Sequence, residues 1–154
     1  MVPLDDSLRA SASARVGGDR LQALWGGPHL RILVVEDDED GMLFVRRVLE
    51  GAGHAVREAR DGEEARAILE RESFSVVLMD IHMPFMSGLE AIRWIRDNEQ
   101  KTGVHVPVIA MTARAHRHER DKIVGHGFDG YLAKPILIET LFDEIRRCLP
   151  DPIP

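Results

Sequence analysis

Five polar positions fall where apolar runs of the chain stop. Glu36 and Asp37 close Ile32-Leu33-Val34-Val35, and Asp80 closes Val76-Val77-Leu78-Met79. Thr112 follows Val108-Ile109-Ala110-Met111, and Lys134 follows Gly130-Tyr131-Leu132-Ala133 and precedes Pro135. If these runs are parallel strands of one sheet, three carboxylates, a hydroxyl and an ammonium converge on one edge. Carboxylates so placed repel each other unless a counter-charge joins them. Mg²⁺ suits them, because it is hard, prefers oxygen, and binds one or two carboxylates with water and a phosphate. An Asp carboxylate beside it can attack phosphorus and form an acyl phosphate. The metal and Lys134 would neutralise phosphoryl oxygens, and Thr112 would donate to another. Zinc fits less well. The chain has one cysteine, and His116 and His118, two apart, point to different sides of a helix.

That chemistry depends on the elements that position it. Short continuous apolar runs of β-branched residues suit strands buried on both faces of a parallel sheet. His54 to Glu58 alternates apolar and polar, which suits a sheet edge. Helix-length stretches separate the strands. Asp40 to about Ala52 puts Leu43, Val45, Val48 and Leu49 near one side, with Gly51 and Gly53 as its stop. Asp61 to Arg71 groups Ala65, Ile68 and Leu69, with Asp61 as N-cap and Glu64 three residues on. Ser87-Gly88 to Asn98 aligns Leu89, Ile92 and Ile95. Ile138, Leu141, Ile145 and Leu149 form the stripe of the last helix. The stretch between Thr112 and Gly127 is the odd one. It has only Ile123 and Val124 as clear anchors, so it should be the least firmly held and is a candidate partner surface. A β-α order repeated five times needs right-handed crossovers. The expected architecture is α/β, an open doubly wound parallel sheet whose site lies at the carboxyl ends of the strands.

Composition agrees with one cytoplasmic domain. A chain of 154 residues suits a single core, and the net charge of −6 argues against a general nucleic-acid binder. A lone Cys148 forbids an intramolecular disulfide; it is expected to pack on the last helix. No apolar run approaches the ~20 residues of a membrane span. Residues 1–29 are expected to be a flexible leader or linker, 30–149 the folded domain and 150–154 a tail. The alternative for the leader is a short segment in which Leu21, Leu24 and Trp25 dock on the domain or a neighbour. The domain is expected to be free-standing or excised from a longer chain, and the linker-like start and Pro-rich finish fit excision.

Val34-Val35-Glu36-Asp37-Asp38, the run from Met79 through Asp80, Met83 and Pro84 to Gly88, Met111-Thr112-Ala113 and Tyr131-Leu132-Ala133-Lys134-Pro135 resemble the receiver domain of two-component signalling. Order and spacing agree over about residues 31–149, and the run after Asp80 is most similar to receivers of hybrid sensor histidine kinases. The resemblance implies a flavodoxin-like receiver fold with five strands in the order 2-1-3-4-5 and five helices. It implies Asp80 as phosphoacceptor. Mg²⁺ would be held by Asp37, by Asp80, by Glu36 directly or through water, and by the backbone carbonyl of His82. Thr112, the Ala113 backbone and Lys134 would bind phosphoryl oxygens. Tyr131 would be an aromatic switch that turns inward with Thr112, and Lys134–Pro135 a cis peptide. His82 and Arg114, two beyond Asp80 and Thr112, would tune the lifetime of the acyl phosphate. Asp38 is expected to be an N-terminal helix charge instead of a ligand.

The function so implied is a phosphorelay switch, not an enzyme, although it assists its own phosphorylation and dephosphorylation. Within a full-length hybrid the whole chain would be a histidine kinase. The donor would be a histidine kinase or a histidine phosphotransfer domain. A downstream protein would read the fourth expected helix, the fifth strand and the fifth helix. Nucleic acid and membrane are not expected as partners, and the protein is expected to be a monomer or weak dimer. Two other classes compete with this function. An unphosphorylated interaction module should lack an acid, the Thr or the Lys, and none is missing. A phosphatase with an aspartyl intermediate commonly has a second acid two residues past the nucleophile, where His82 stands.

Overall fold

The five runs form five strands: β1 (Arg31–Val35), β2 (Ala55–Ala59), β3 (Val76–Asp80), β4 (Val108–Thr112) and β5 (Gly130–Ala133). All pair in parallel, in the order β2-β1-β3-β4-β5. The computed structural model describes residues 18–83, 86–114 and 116–150. The register aligns the strand ends, with Val35 opposite Met79, Asp80 opposite Met111 and Thr112 opposite Ala133. Strand β4 starts at Val108, just after Pro107. Pro107 has no N–H to give, and its carbonyl accepts from Val77.

The continuous apolar strands have a simple cause. Alternate residues feed two cores, one on each face of the sheet. Ile32, Val34, Val76, Leu78, Ile109 and Met111 join one. Leu33, Val35, Val77, Met79, Val108 and Ala110 join the other. Helices α2 (Glu39–Gly51) and α6 (Ile138–Cys148) cover the first core, while α3 (Gly62–Leu69), α4 (Gly88–Thr102) and α5 (Arg117–Gly125) cover the second. Buried side chains such as Leu141, Phe142 and Ile145 of α6 stabilise the fold by roughly 1.5–3 kcal/mol each.

Helix starts follow the sequence. Asp38 caps α2 by accepting from the Gly41 N–H, Asp61 caps α3 through Glu64, and Ser87 caps α4 through Glu90. Three expected anchors sit elsewhere. Leu43, Leu89 and Val124 are exposed; Met42, Ala91 and Ile123 occupy the buried rows of their helices. In α2 the stripe is Met42, Val45 and Leu49, one residue out of phase with Leu43. Helix α5 buries only Ile123 and has no side-chain cap, so it is held as lightly as its composition predicts.

The expected leader differs most. Residues 18–25 form a helix, α1, a sixth beyond the five expected. Leu21 and Trp25 pack on the core beside α2 and α6, while Leu24 stays exposed. The docking alternative describes this segment; residues 1–17 lie outside the described residues. Cys148 packs at the margin of the same core, and burial pushes its thiol up to about 11, an unreactive value.

Candidate functional site

The carboxyl edge of the sheet brings Glu36, Asp37 and Asp80 together. One oxygen from each lies within 4.8 Å of the others. Each is there for a backbone reason. Glu36 and Asp37 follow β1 directly, and the Glu36 N–H donates to Ala59 across the sheet. Asp80 is the last residue of β3, the central strand, and is 3% exposed, as is Glu36. Asp37 is exposed at the rim. The loop after Asp80 is held close by Gly88, where an added Cβ would fall 2.7 Å from the Asp80 carbonyl oxygen and 2.6 Å from Ile81 Cα. A side chain there would push α4 off the loop.

Lys134 is the cation of the site. It leaves the end of β5 and crosses to the centre of the edge. Its Nζ donates to Glu36 Oε2 at 2.9 Å and to Asp80 Oδ2 at 3.2 Å. The other Asp80 oxygen accepts the His82 N–H at 2.9 Å, and Glu36 Oε1 accepts the Asp38 N–H at 3.2 Å. The Lys134–Pro135 peptide is cis. Burial works against the Lys134 ammonium, but its bond to Glu36 and the charges of Asp80 and Glu36 outweigh that, so its pKa is raised. Burial pushes Glu36 up. The bond to Lys134 pulls it back, the Asp80 charge pushes it up again, and it settles above its ordinary value.

Thr112 is fully buried, and its Oγ1 accepts the Arg114 N–H at 3.0 Å. The hydroxyl hydrogen is left to donate elsewhere. Ala113 is exposed, as are the side chains of Arg114 and His82. Tyr131 is half-buried against the α3–α5 core, and its N–H donates to Glu144 of α6. The guanidinium of Arg120 lies 5.0 Å over its ring. That contact ties the lightly anchored α5 to β5. Sequence reasoning missed Arg120, because nothing in a run of charges marks the one that faces an aromatic ring.

The donor set is all oxygen, with three carboxylates facing one ammonium. It fits a hard divalent cation and an incoming phosphoryl group better than a softer metal. Asp80 has the geometry of a nucleophile: it is fixed by an N–H and an ammonium, and it stands beside two further carboxylates.

Comparison with known proteins agrees. Residues 32–146 match the response regulator receiver domain family. The polar-differentiation response regulator DivK of Brucella ovis is 34% identical over 120 residues, 78% of this chain and 96% of that protein. The receiver domain of the sensor histidine kinase PA1611 from Pseudomonas aeruginosa was solved with magnesium coordinated in its active site cleft. It is 33% identical, with a TM-score of 0.70 over 79% of this chain and 98% of that one. The third is a chain from the co-crystal structure of the Saccharomyces cerevisiae histidine phosphotransfer protein Ypd1 with the receiver domain of its downstream response regulator Ssk1. It is 27% identical, with a TM-score of 0.74 over 80% and 94% of the two chains. The protein belongs to the response regulator receiver domain family, the phosphoacceptor switches of two-component signalling. Among the described residues, no helix is long and apolar enough to cross a membrane.

Proposed function

We propose that this receiver takes a phosphoryl group from a phosphohistidine onto Asp80, with Mg²⁺ bound by Asp37, Asp80, Glu36 and the His82 carbonyl. The observation that supports this best is the sharing of Lys134 between Glu36 and Asp80, with Asp37 at the rim. One ammonium among three carboxylates leaves the edge short of positive charge, which a divalent cation supplies. When bound, the metal neutralises the charge on the phosphoryl oxygens.

The chain's own residues do the rest. The His82 N–H holds one Asp80 oxygen, and the other attacks phosphorus. The P–N bond of the phosphohistidine breaks, and its electron pair leaves with the imidazole. An acyl phosphate remains on Asp80. Lys134, already within hydrogen-bond reach of Asp80, transfers one donor to a phosphoryl oxygen. Thr112 turns its free hydroxyl hydrogen, and Ala113 its N–H, to the others. Tyr131 follows Thr112 inward and leaves the Arg120 guanidinium. That biases the surface of α5, β5 and α6 toward a downstream protein, a local charge change shifting a two-state element. Tyr131 and Arg120 lie on that surface, and α5 is its least anchored part.

The test is incubation of the protein with acetyl phosphate and Mg²⁺, followed by intact mass measurement. One phosphoryl group is expected, absent in Asp80→Asn and absent when EDTA replaces Mg²⁺. Labelling of Asp80→Asn to the wild-type extent would overturn the reading.

A further inference from the structure

Helix α1 lies outside the matched segment, which starts at residue 32, yet it is firmly attached. Trp25 is 3% exposed, and its ring meets His54 and Phe142 edge to face at centroid distances of 4.8 and 5.7 Å. Arg146 of α6 lies 5.1 Å over the same ring and donates to the Leu24 and Trp25 carbonyls at 2.5 and 2.6 Å. On the α2 side the approach depends on Gly51, where a Cβ would fall 2.4 Å from Leu21 Cδ1.

This docking walls a groove of about 360 Å³ between α1 and α2, lined by Leu21, Asp40, Leu43, Phe44, Arg47 and Val48. Leu43 and Phe44 are 39% and 42% exposed on a helix whose other exposed residues, Glu39, Asp40, Arg47 and Glu50, are charged. Two large apolar side chains side by side on such a surface are the part that gains by being covered. The groove starts at the first turn of α2, three residues past Asp37, so it is continuous with the rim of the acidic site. A protein that presents a phosphohistidine to Asp80 has to cover that rim.

The geometry points to α1 as a partner-selecting addition to the receiver: with α2 it seats one helix of the phosphohistidine-bearing donor, an inference that rests on the phosphoacceptor reading. That helix lays an apolar stripe on Leu21, Leu43 and Phe44, in the helix-in-groove mode. Asp40 and Arg47 are two turns apart, roughly 10 Å along α2. The donor helix therefore carries a basic and an acidic residue about two turns apart beside its stripe.

The test uses the full chain, its Leu21→Ser and Phe44→Ser variants, and the histidine kinases and phosphotransfer domains of the host, each charged with radiolabelled phosphate. Each variant should lower the rate of transfer from the preferred donor about tenfold, the range of a docking anchor. Labelling by acetyl phosphate should stay at the wild-type rate. Leu21→Ser tests the α1 wall, and Phe44→Ser, at an exposed site, keeps the test valid if the first variant loosens the fold. A Leu21→Ser transfer rate equal to that of wild type would overturn the inference, even where Phe44→Ser slows transfer. So would a wild type that acetyl phosphate labels but no charged donor does. Failure of acetyl phosphate on the wild type would instead bring down the phosphoacceptor reading.

Discussion

Two clusters of half-buried charge sit at opposite ends of the sheet and are built on opposite plans. At the carboxyl edge Glu36, Asp37 and Asp80 face one ammonium, Lys134. At the amino edge Arg96 of α4 pairs with Glu99 at 2.5 Å and with Asp129 at 2.6 Å, and His105 bridges the same two acids at 3.0 and 2.9 Å. Glu99 also accepts the Val106 N–H and Asp129 the Val108 N–H, while Arg96 donates to the carbonyls of Gly127 and Val106. Both acids there are matched in donors, and in charge when His105 is protonated, and they fasten α4, the start of β4 and the turn before β5. A matched cluster holds the fold together. An unmatched one is held by the fold for something that arrives.

Removing one cation from each end should show the difference most strongly. Arg96→Ala leaves Glu99 and Asp129, 16% and 26% exposed, without their main partner. A loss of about 3 kcal/mol is expected, toward the low end for breaking a buried pair. Mg²⁺ should raise the melting temperature of this variant by the wild-type increment and leave the deficit in place. Lys134→Ala removes the one ammonium from three carboxylates. It should melt lower than wild type in EDTA and gain more from Mg²⁺ than wild type does. For scale, a ligand at 100 times its Kd adds about 2.7 kcal/mol. Thermal melts of the three proteins with and without Mg²⁺ decide it; equal increments in all three would erase the contrast.

The amino edge also carries two histidines of opposite sign. His54 is buried under Trp25, and its Nδ1 accepts the Leu30 N–H at 3.0 Å. Burial, helped by nearby His29, lowers its pKa to about 4. Its contribution is therefore fully present above the ordinary value near 6.5 and is lost as pH falls toward 4. About 2 kcal/mol should disappear between pH 7.5 and 5. His105 runs the other way. Burial opposes its charge, but the bonds to Asp129 and Glu99 outweigh burial and the Arg96 charge, and its pKa is raised. Its contribution is fully present below about 6.5 and is lost as pH rises through the raised value. Denaturant midpoints against pH, in wild type, His54→Asn and His105→Gln, separate the two; subtracting each variant from wild type removes the titration of Glu36. An acid slope unchanged in His54→Asn would refute the first assignment.

What the sequence made legible was local. A β-branched run that stops at a charge is a buried strand reaching the edge of the sheet, so Glu36, Asp80 and Thr112 could be placed at that edge from their chain neighbours alone. What it hid was phase and distance. Leu43 and Met42 are equally apolar, and only the docking angle of α2 decides which is buried. Trp25 read as part of a leader because its partners His54, Phe142 and Arg146 are far along the chain; its carbonyl and Arg146 are 121 residues apart. The amino-edge cluster has no motif for the same reason, with Arg96 and Asp129 separated by 33 residues. At the site itself the residue types were legible, whereas the sharing of Lys134 between Glu36 and Asp80 spans 98 and 54 residues and needed the folded sheet.

The smallest effect expected lies at the lip of the carboxyl edge. Arg114 follows Thr112 by two residues, and its N–H, not its side chain, holds the Thr112 oxygen at 3.0 Å. Its side chain is exposed. Replacing it should therefore leave the Thr112 contact and the fold intact. An exposed guanidinium beside a new dianion contributes about 0.2–1 kcal/mol at most. If Arg114 pairs with the phosphoryl group, or lies across it, it slows the approach of water. Arg114→Ala should then shorten the lifetime of the acyl phosphate by no more than about fivefold, the rate equivalent of that energy. The melting temperature should not move. Autodephosphorylation is followed after removal of acetyl phosphate, at low and at high salt, since screening weakens an exposed pair. A wild-type lifetime that high salt shortens toward that of the variant identifies charge pairing. A difference that persists in high salt identifies shielding by the side chain. Identical lifetimes in both salts would remove Arg114 from the site and leave the edge controlled by its buried residues alone.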